Sequence, residues 1–122
     1  LKGYTYSERK IIVNKYIKLL KIIIKQKINV IFAVIGMMNV IRENNKKLFK
    51  NYIEIFIKAK LVKLKKKNKK NLYKGKKKNV VGRDIIPEFP KKPDVIFYNK
   101  FNSNIKKNEE IIFNKIQKVI RQ

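Results

Sequence analysis

The alternation of apolar and polar residues between Tyr52 and Leu64, YIEIFIKAKLVKL, is the clearest pattern in the chain. A period of two is typical of a half-buried β-strand. The segment therefore predicts a strand with an apolar face and a basic face, which opens into the lysine cluster after residue 64. The apolar face would carry Ile53, Ile55, Ile57, Ala59 and Leu61, and the other face Glu54, Phe56, Lys58, Lys60 and Val62.

Two segments have the periodicity of amphipathic helices. Thr5-Tyr6-Ser7-Glu8 has the form of a capping box. The residues that follow, to about Gln26, place apolar side chains on one stripe and lysines on the opposite side. Near the other end of the chain, Asn108 is the predicted N-cap of a helix from Glu109 to about Arg121.

The remaining segments predict strands and a connector. Residues 28–42 are rich in Val and Ile without helical spacing, which indicates a strand interrupted near Gly36. A polar turn at residues 43–47 would join it to the return strand, so residues 28–64 form a long hairpin. Residues 65–93 form a connector that is first lysine-rich and then contains three prolines. A last strand is predicted over residues 94–101.

The order of these elements predicts an α+β fold. With a further strand before residue 1, the topology would be a ferredoxin-like split β-α-β sandwich with a long β-hairpin arm. We expect one domain over residues 1–101 and a C-terminal helical extension over residues 102–122. The longest apolar run, Val30–Ile35, has six residues, whereas a membrane-spanning helix needs about 20.

Net charge changes this picture more than any motif. The chain has 33 Lys+Arg and 8 Asp+Glu, a net charge of +25. Small domains usually have a net charge of about 2–8 in magnitude. Such a field predicts an anionic partner, and phosphate is the commonest one. The 29 Lys, 14 Asn and 21 Ile also share A/T-rich codons, which indicates an AT-rich gene such as those of organelles.

Residues that usually carry enzyme chemistry are scarce. The chain has neither cysteine nor histidine, which excludes disulfides and thiolate metal sites and removes the commonest general base. Its four glycines are isolated, so it shows no Gly-rich phosphate loop. Carboxylate and lysine chemistry stay open, but no spacing places two carboxylates on one face. We therefore expect no enzyme, no cofactor and no metal.

Several phrases resemble the S-ten family of small-subunit ribosomal proteins. Leu1-Lys2-Gly3-Tyr4 before a helix is similar to that family's Leu-Lys-Gly/Ser-Tyr-Asp phrase, and Tyr52–Leu64 resembles its Phe-Glu-Ile-Arg-Ile-His-Lys-Arg-Leu-Ile-Asp-Ile strand. Val40-Ile41-Arg42 and Asn45-Lys46-Lys47 lie at the spacing of its Val-Leu-Arg and Asn-Lys-Lys segments. The family's Gly-Pro-x-Pro-Leu-Pro stretch has no counterpart here, and its second helix is replaced by the lysine-rich residues 65–79.

The resemblance implies a structural constituent of the small ribosomal subunit that acts in translation. Its implied partners are small-subunit ribosomal RNA and neighbouring head proteins, without a small-molecule substrate and without homo-oligomers. Combined with the biased composition, it implies a mitochondrial ribosome, with a plastid as the alternative. The alternative function is a lysine-rich accessory subunit of an organelle membrane complex, bound to anionic lipid.

The predicted RNA-binding residues are the cations of the hairpin arm and of the lysine-rich segment beyond it. Lysine is a point charge, which favours neutralisation of phosphates over reading of bases. We therefore expect affinity to fall steeply with salt. The set consists of Arg42, Lys46, Lys47, Lys50, Lys58, Lys60, Lys63, Lys65, Lys66, Lys67, Lys69 and Lys70.

Overall fold

A computed structural model describes residues 4–35, 38–67, 78–101 and 104–121. Its elements are α1 (Tyr6–Lys25), α2 (Asn39–Leu48), β1 (Ile55–Lys58), α3 (Leu61–Lys67), β2 (Val95–Tyr98) and α4 (Ile105–Ile120). Contacts between residues divide the chain into two compact units. The first unit comprises residues 1–37 and 72–87, and the second comprises residues 38–71 and 88–122.

The first unit is built on α1, which begins where the sequence predicts. The Thr5 hydroxyl accepts a hydrogen bond from the Glu8 N–H at 3.3 Å, and the Glu8 carboxylate accepts one from the Thr5 N–H at 2.9 Å. Two N–H groups that would lack helical partners are thereby satisfied. The Tyr16 ring of α1 meets the Phe32 ring edge-on, with centroids 5.7 Å apart. The predicted capping box and helix are confirmed.

A tight turn around Asp84 belongs to the same unit. The Asp84 carboxylate accepts a hydrogen bond from the Val80 N–H at 2.9 Å and another from Arg83 Nε at 2.8 Å. These contacts, that with Arg83 above all, hold the pKa of the Asp84 carboxyl below its ordinary value of 3.8. Arg9 of α1 donates to the Asn79 carbonyl at 3.2 Å, which ties the turn to the helix.

The second unit contains a two-stranded parallel sheet in which each residue of β1 stands opposite the residue 40 positions later in β2. Along β2, Val95 and Phe97 are buried whereas Ile96 and Tyr98 are exposed. This is the alternation of a half-buried strand. Helix α4 packs along β2, and Lys115 Nζ of α4 donates to the Ile96 carbonyl. The predicted last strand is confirmed at its centre.

Helix α4 begins four residues before its predicted start. The Asn104 side chain accepts a hydrogen bond from the Lys106 N–H at 3.0 Å and is the N-cap. Asn108, the predicted cap, lies inside the helix instead. Both asparagines suit a cap, but Lys106 and Lys107 are good helix formers, so the earlier cap adds a turn.

The structure differs from the hairpin predicted over residues 28–64. Residues 39–48 form α2, residues 61–67 form α3, and the strand between them pairs with β2 in parallel. The buried side of α2 carries Ile41, Arg42 and Asn45, so its inner face does not show as a hydrophobic stripe in the sequence. In α3, Leu and Lys are good helix formers and override the period of two.

The broader fold predictions are not decided by these elements. The described residues form helices and a parallel pair of strands, and the ferredoxin-like arrangement stays a prediction. The same holds for the boundary between residues 101 and 102. None of the helices in the described ranges is both long enough and apolar enough to cross a bilayer.

Candidate functional site

The carboxyl ends of the two parallel strands meet at one edge of the sheet. Lys58 ends β1 and Tyr98 ends β2, and the Lys58 ammonium lies 5.7 Å from the centroid of the Tyr98 ring. The Asn99 N–H donates to the Lys58 carbonyl at 2.8 Å, which joins the two chain segments just beyond the strands. Ligands of open α/β sheets bind outside the carboxyl ends of the strands. This carboxyl edge, residues 58–60 and 98–100, is therefore the candidate site.

Exposed lysines follow both strands at this edge. Lys60 lies between β1 and α3, Lys63 lies in the first turn of α3, and Lys100 follows β2. Lys63 Nζ donates to the Lys100 carbonyl at 3.3 Å, so α3 is tied to the segment after β2. Across the described residues, none of Lys58, Lys60 and Lys63 is ion-paired with a carboxylate. Their charges are available to an anionic ligand.

A shallow groove of about 400 Å³ adjoins the same edge. Ligand sites typically occupy about 300–1,000 Å³ and combine apolar walls with a few polar groups. This groove has two aromatic rings and an isoleucine for its apolar walls, and two lysines and two asparagines for its polar groups. Its lining residues are Phe97, Tyr98, Lys100, Asn104, Lys107, Asn108 and Ile111.

A buried charge network holds the opposite, amino ends of the strands. Glu54 directly precedes β1, and its carboxylate lies 3.0 Å from Arg42 Nε and 3.3 Å from Lys46 Nζ. Arg42 and Glu54 are each only 8% exposed. Asp94 directly precedes β2, and its carboxylate accepts a hydrogen bond from the Glu54 N–H at 2.7 Å. The network thereby fixes α2 and the amino ends of both strands to one another.

The same network reaches the segment Glu88–Lys92, which we term the proline loop because it contains Pro90. At its first residue, the Glu88 carboxylate accepts a hydrogen bond from the Asn39 N–H at 2.7 Å, and the Glu88 carbonyl accepts one from Arg42. At its last residue, the Lys92 carbonyl accepts a hydrogen bond from Lys46 Nζ at 2.9 Å. Helix α2 therefore holds the proline loop at both ends.

Tyr52 lies beside this network and is half-buried. Burial raises the pKa of the Tyr52 phenol above its ordinary value of 10.0, and the nearby Glu54 charge raises it further. A hydrogen bond with the Asn45 side chain and the charge of Arg42 act in the opposite direction. The Tyr52 phenol therefore shares the electrostatic environment of the buried ion pair between Arg42 and Glu54.

The structure separates the predicted RNA-binding cations into groups. Arg42 and Lys46 come together, but their charges face Glu54 and Asp94. Lys69 and Lys70 lie outside the described residues. The others are exposed, namely Lys47, Lys50, Lys58, Lys60, Lys63, Lys65, Lys66 and Lys67.

The sequence prediction missed the acidic partners of the network. Glu54, Glu88 and Asp94 are far apart in the chain, and only tertiary pairing brings them to α2. The position of Asp94 as the first residue of the predicted strand was the available signal. The prediction also missed Tyr98 and Lys100, because the carboxyl edge exists only once β1 and β2 pair.

Comparison with known proteins identifies a family of enzymes. The sequence model of the adenylylsulphate kinase family matches residues 2–98. The chain is also 36% identical over 107 residues to the cytidine diphosphoramidate kinase of Campylobacter jejuni. That alignment covers 84% of this chain and 62% of the relative, so the chain spans less than two thirds of the relative's length. No solved structure gives a significant match.

These matches correct the main functional expectations. The assignment to the S-ten ribosomal family is wrong, and so are the structural role in the small ribosomal subunit and the partnership with ribosomal RNA and head proteins. The membrane-complex alternative finds no support either. The mitochondrial or plastid location stays a prediction. A strand with alternating residues followed by lysines occurs in a parallel-sheet protein as well as in a β-ribbon. That pattern therefore did not distinguish these two kinds of protein.

The expectation of no enzyme and no small-molecule substrate is also wrong, because both matches are to kinases. The reasoning behind it failed for a chemical reason. Phosphoryl transfer depends almost entirely on positioning and electrostatic stabilisation, so the lack of histidine and cysteine excludes little.

The residues that the family model matches run from before α1 to the end of β2. They include the charge network and both strand ends of the carboxyl edge. The chain belongs to the adenylylsulphate kinase family.

Proposed function

We propose that the chain is part of a kinase that phosphorylates a nucleotide, and that its carboxyl edge binds substrate phosphate. The match of the family model over residues 2–98 carries this proposal. The family is named for adenylylsulphate and the relative for cytidine diphosphoramidate. Both names denote nucleotides, with different bases, so the proposal commits to a nucleotide acceptor and not to one base.

The carboxyl edge supplies the electrostatics that phosphoryl transfer requires. Negative charge accumulates on the transferred group and on both substrates, and fixed cations nearby stabilise it. Lys58, Lys60 and Lys63 place three ammonium groups on or beside the end of β1. Lysine binds phosphate as a point charge, so these residues are suited to hold phosphates of either substrate.

Rigidity of the edge supports the same role. Side chains on regular elements are positioned more accurately than those on loops, and reacting groups must be aligned closely. Lys58 stands on β1, whose amino end is fixed by the Glu54 ion pairs and whose carboxyl end is bonded to Asn99. The groove beside Tyr98 gives the rest of a nucleotide room next to these charges.

Transfer of labelled phosphate tests the proposal directly. The chain is incubated with Mg²⁺ and ATP labelled at the γ-phosphate, with adenylylsulphate or cytidine diphosphoramidate as acceptor. Binding of each nucleotide is measured separately by equilibrium dialysis. We expect nucleotide binding and label transfer that depends on one of the two acceptors. Absence of binding to all three nucleotides, together with absence of transfer, would refute the proposal.

Two matched variants locate the site. Lys58→Met removes one charge at the carboxyl edge and should weaken nucleotide binding about tenfold, as expected for a hydrogen bond to a charged group. Lys47→Met removes one charge from the last turn of α2, where the lysine is also exposed, and should leave binding almost unchanged. Equal losses in the two variants would indicate a general charge effect and argue against this site.

A further inference from the structure

We infer that Tyr98 is a positioning residue, whose ring holds the Lys58 ammonium where it binds the phosphate of the nucleotide substrate. The inference rests on the proposed function, which gives the carboxyl edge its phosphate ligand, and adds to it the residue that places the cation. Tyr98 acts through Lys58 in this role and not through a contact of its own with the substrate.

The pairing of the two strands brings these side chains together. Lys58 and Tyr98 are the last residues of β1 and β2, and they stand directly opposite each other in the parallel register. Residues opposite each other in register point to the same face of a sheet. The Asn99 N–H donates to the Lys58 carbonyl at 2.8 Å, so the hydrogen bonding continues one residue beyond them. The backbone of two strands therefore sets the separation between the ring and the lysine stem.

The contact between the two side chains has the geometry of a cation–π interaction. The Lys58 ammonium lies 5.7 Å from the centroid of the Tyr98 ring, and such contacts extend to about 6 Å. Tyr98 is 59% exposed, whereas Phe97 beside it is 7% exposed and forms part of the core. A tyrosine whose role was packing would bury more of its ring. The ring of Tyr98 therefore contributes a contact with Lys58 more than it contributes to the core.

An aromatic partner leaves the charge of the lysine in place. A carboxylate would neutralise the ammonium and compete with phosphate for its hydrogens, as the Glu54 carboxylate does 3.3 Å from Lys46 Nζ. The Tyr98 ring attracts the cation through its quadrupole and carries no net charge. An ammonium has three donors, so phosphate can bind Lys58 on the side away from the ring while the contact with Tyr98 persists.

The flexibility of lysine explains why such a contact aids binding. The four-carbon stem has many rotamers, and ordering it when a ligand binds costs free energy. A ring that already selects the rotamers directed at the carboxyl edge removes part of that cost. Lys63 offers a contrast, because its Nζ donates to the Lys100 carbonyl and one of its donors is thereby occupied. Tyr98 holds Lys58 without the use of a donor.

The test compares a ligand that is only phosphate with a nucleotide. Isothermal titration calorimetry measures binding of pyrophosphate and of ATP to the wild-type chain and to variants of Tyr98. A cation–π contact at an exposed site predicts that Tyr98→Leu weakens binding of both ligands by about 2- to 5-fold. Tyr98→Phe should bind like the wild type, because it keeps the ring. Tyr98→Ile lacks the ring but suits a strand, and it should show the same loss as Tyr98→Leu.

A double-mutant cycle shows whether the ring acts through the lysine. Lys58→Met removes the cation, so the addition of Tyr98→Leu to it should cause no further loss of affinity for either ligand. Phe113→Leu is the matched control, since Phe113 is 57% exposed on α4, and loss of its ring should leave both affinities unchanged. Melting curves verify that every variant folds.

Three outcomes overturn the inference and leave the proposed function intact. The first is unchanged or tighter pyrophosphate binding in Tyr98→Leu, or no pyrophosphate binding by a wild type that binds ATP. The second is a loss for ATP alone, or one that persists beside Lys58→Met, because the ring would then contact the nucleotide directly. The third is an equal loss in Tyr98→Phe, because the hydroxyl would then be responsible. A wild type that binds neither pyrophosphate nor any of the three nucleotides overturns the proposed function and the inference with it.

Discussion

Replacement of Arg42 by methionine tests the buried charge network. The side chains of Arg42 and Glu54 are 10% and 9% exposed, so the substitution leaves the Glu54 carboxylate buried. Removal of one partner from a buried ion pair costs about 3–5 kcal/mol. Lys46 Nζ, 3.3 Å from the same carboxylate, still offsets part of the charge. We therefore expect a loss near the lower limit, about 3 kcal/mol of unfolding free energy.

Two further variants check the physical reason for that loss. The double variant Arg42→Met/Glu54→Leu removes both charges and should recover most of the stability, because apolar replacement of a buried pair is often neutral. Lys46→Met should cost only about 0–1 kcal/mol, since a partly exposed cation contributes as a surface pair does. The Lys46 side chain is 38% exposed.

Urea unfolding followed by far-UV circular dichroism measures these differences. The loss in Arg42→Met should persist at high NaCl, because buried pairs are screened much less than exposed ones. A loss below about 1 kcal/mol, which is the range of exposed pairs, would refute the reasoning. So would a double variant less stable than Arg42→Met, because an unpaired carboxylate would then not be the cause.

The remaining predictions concern pH and helix capping. The folded pKa of Asp84 is lowered, so the carboxylate stabilises the fold above its ordinary pKa of 3.8 and this contribution disappears as pH falls through the folded value; melting temperatures of wild type and Asp84→Asn should differ at neutral pH and converge in strong acid. The folded pKa of Tyr52 is raised, so stability should fall as pH rises past 10.0; Tyr52→Phe should show a smaller alkaline decline, and an equal decline would contradict this. Thr5→Ala removes the capping box of α1 and should cost about 1 kcal/mol, measured by urea unfolding; no change would contradict the role of the cap.

Features encoded within a few residues were predictable from the sequence. The capping box of α1 depends on Thr5 and Glu8, three positions apart, and it forms as predicted. Strand β2 lies inside the strand predicted over residues 94–101, and its burial alternates although its sequence is apolar throughout. The capping box depends on contacts between residues close in the chain. The strand is short and bounded by clear breaks in the sequence.

Features that depend on distant contacts were not predictable. Helix α2 buries Arg42 and Asn45, and the arginine is tolerated inside because the Glu54 carboxylate and the Glu88 carbonyl arrive from other segments. The partner of β1 lies 40 positions away and runs parallel to it. The hydrophobic pattern did not name the neighbouring strand, and in β1 it did not fix burial either, since Ile55 and Ile57 of the predicted apolar face are exposed.

The candidate site shows the limit of charge as a signal. Lys58, Lys60 and Lys63 were predicted to face phosphate, and the proposed function gives them a phosphate ligand again. Net charge alone does not distinguish the phosphates of a nucleic acid from those of a nucleotide. Only the family match separates these two kinds of ligand.

The wide separation of β1 and β2 has a consequence for synthesis of the protein. Residues 59–94 lie between the two strands, so an isoleucine-containing strand emerges long before the strand that hydrogen-bonds to it. Unpaired strands in nascent chains are prone to associate with one another, and such distant pairings form slowly. Slowing translation before residue 98 should therefore increase aggregation in the cell, and chaperones that shield extended segments should reduce it.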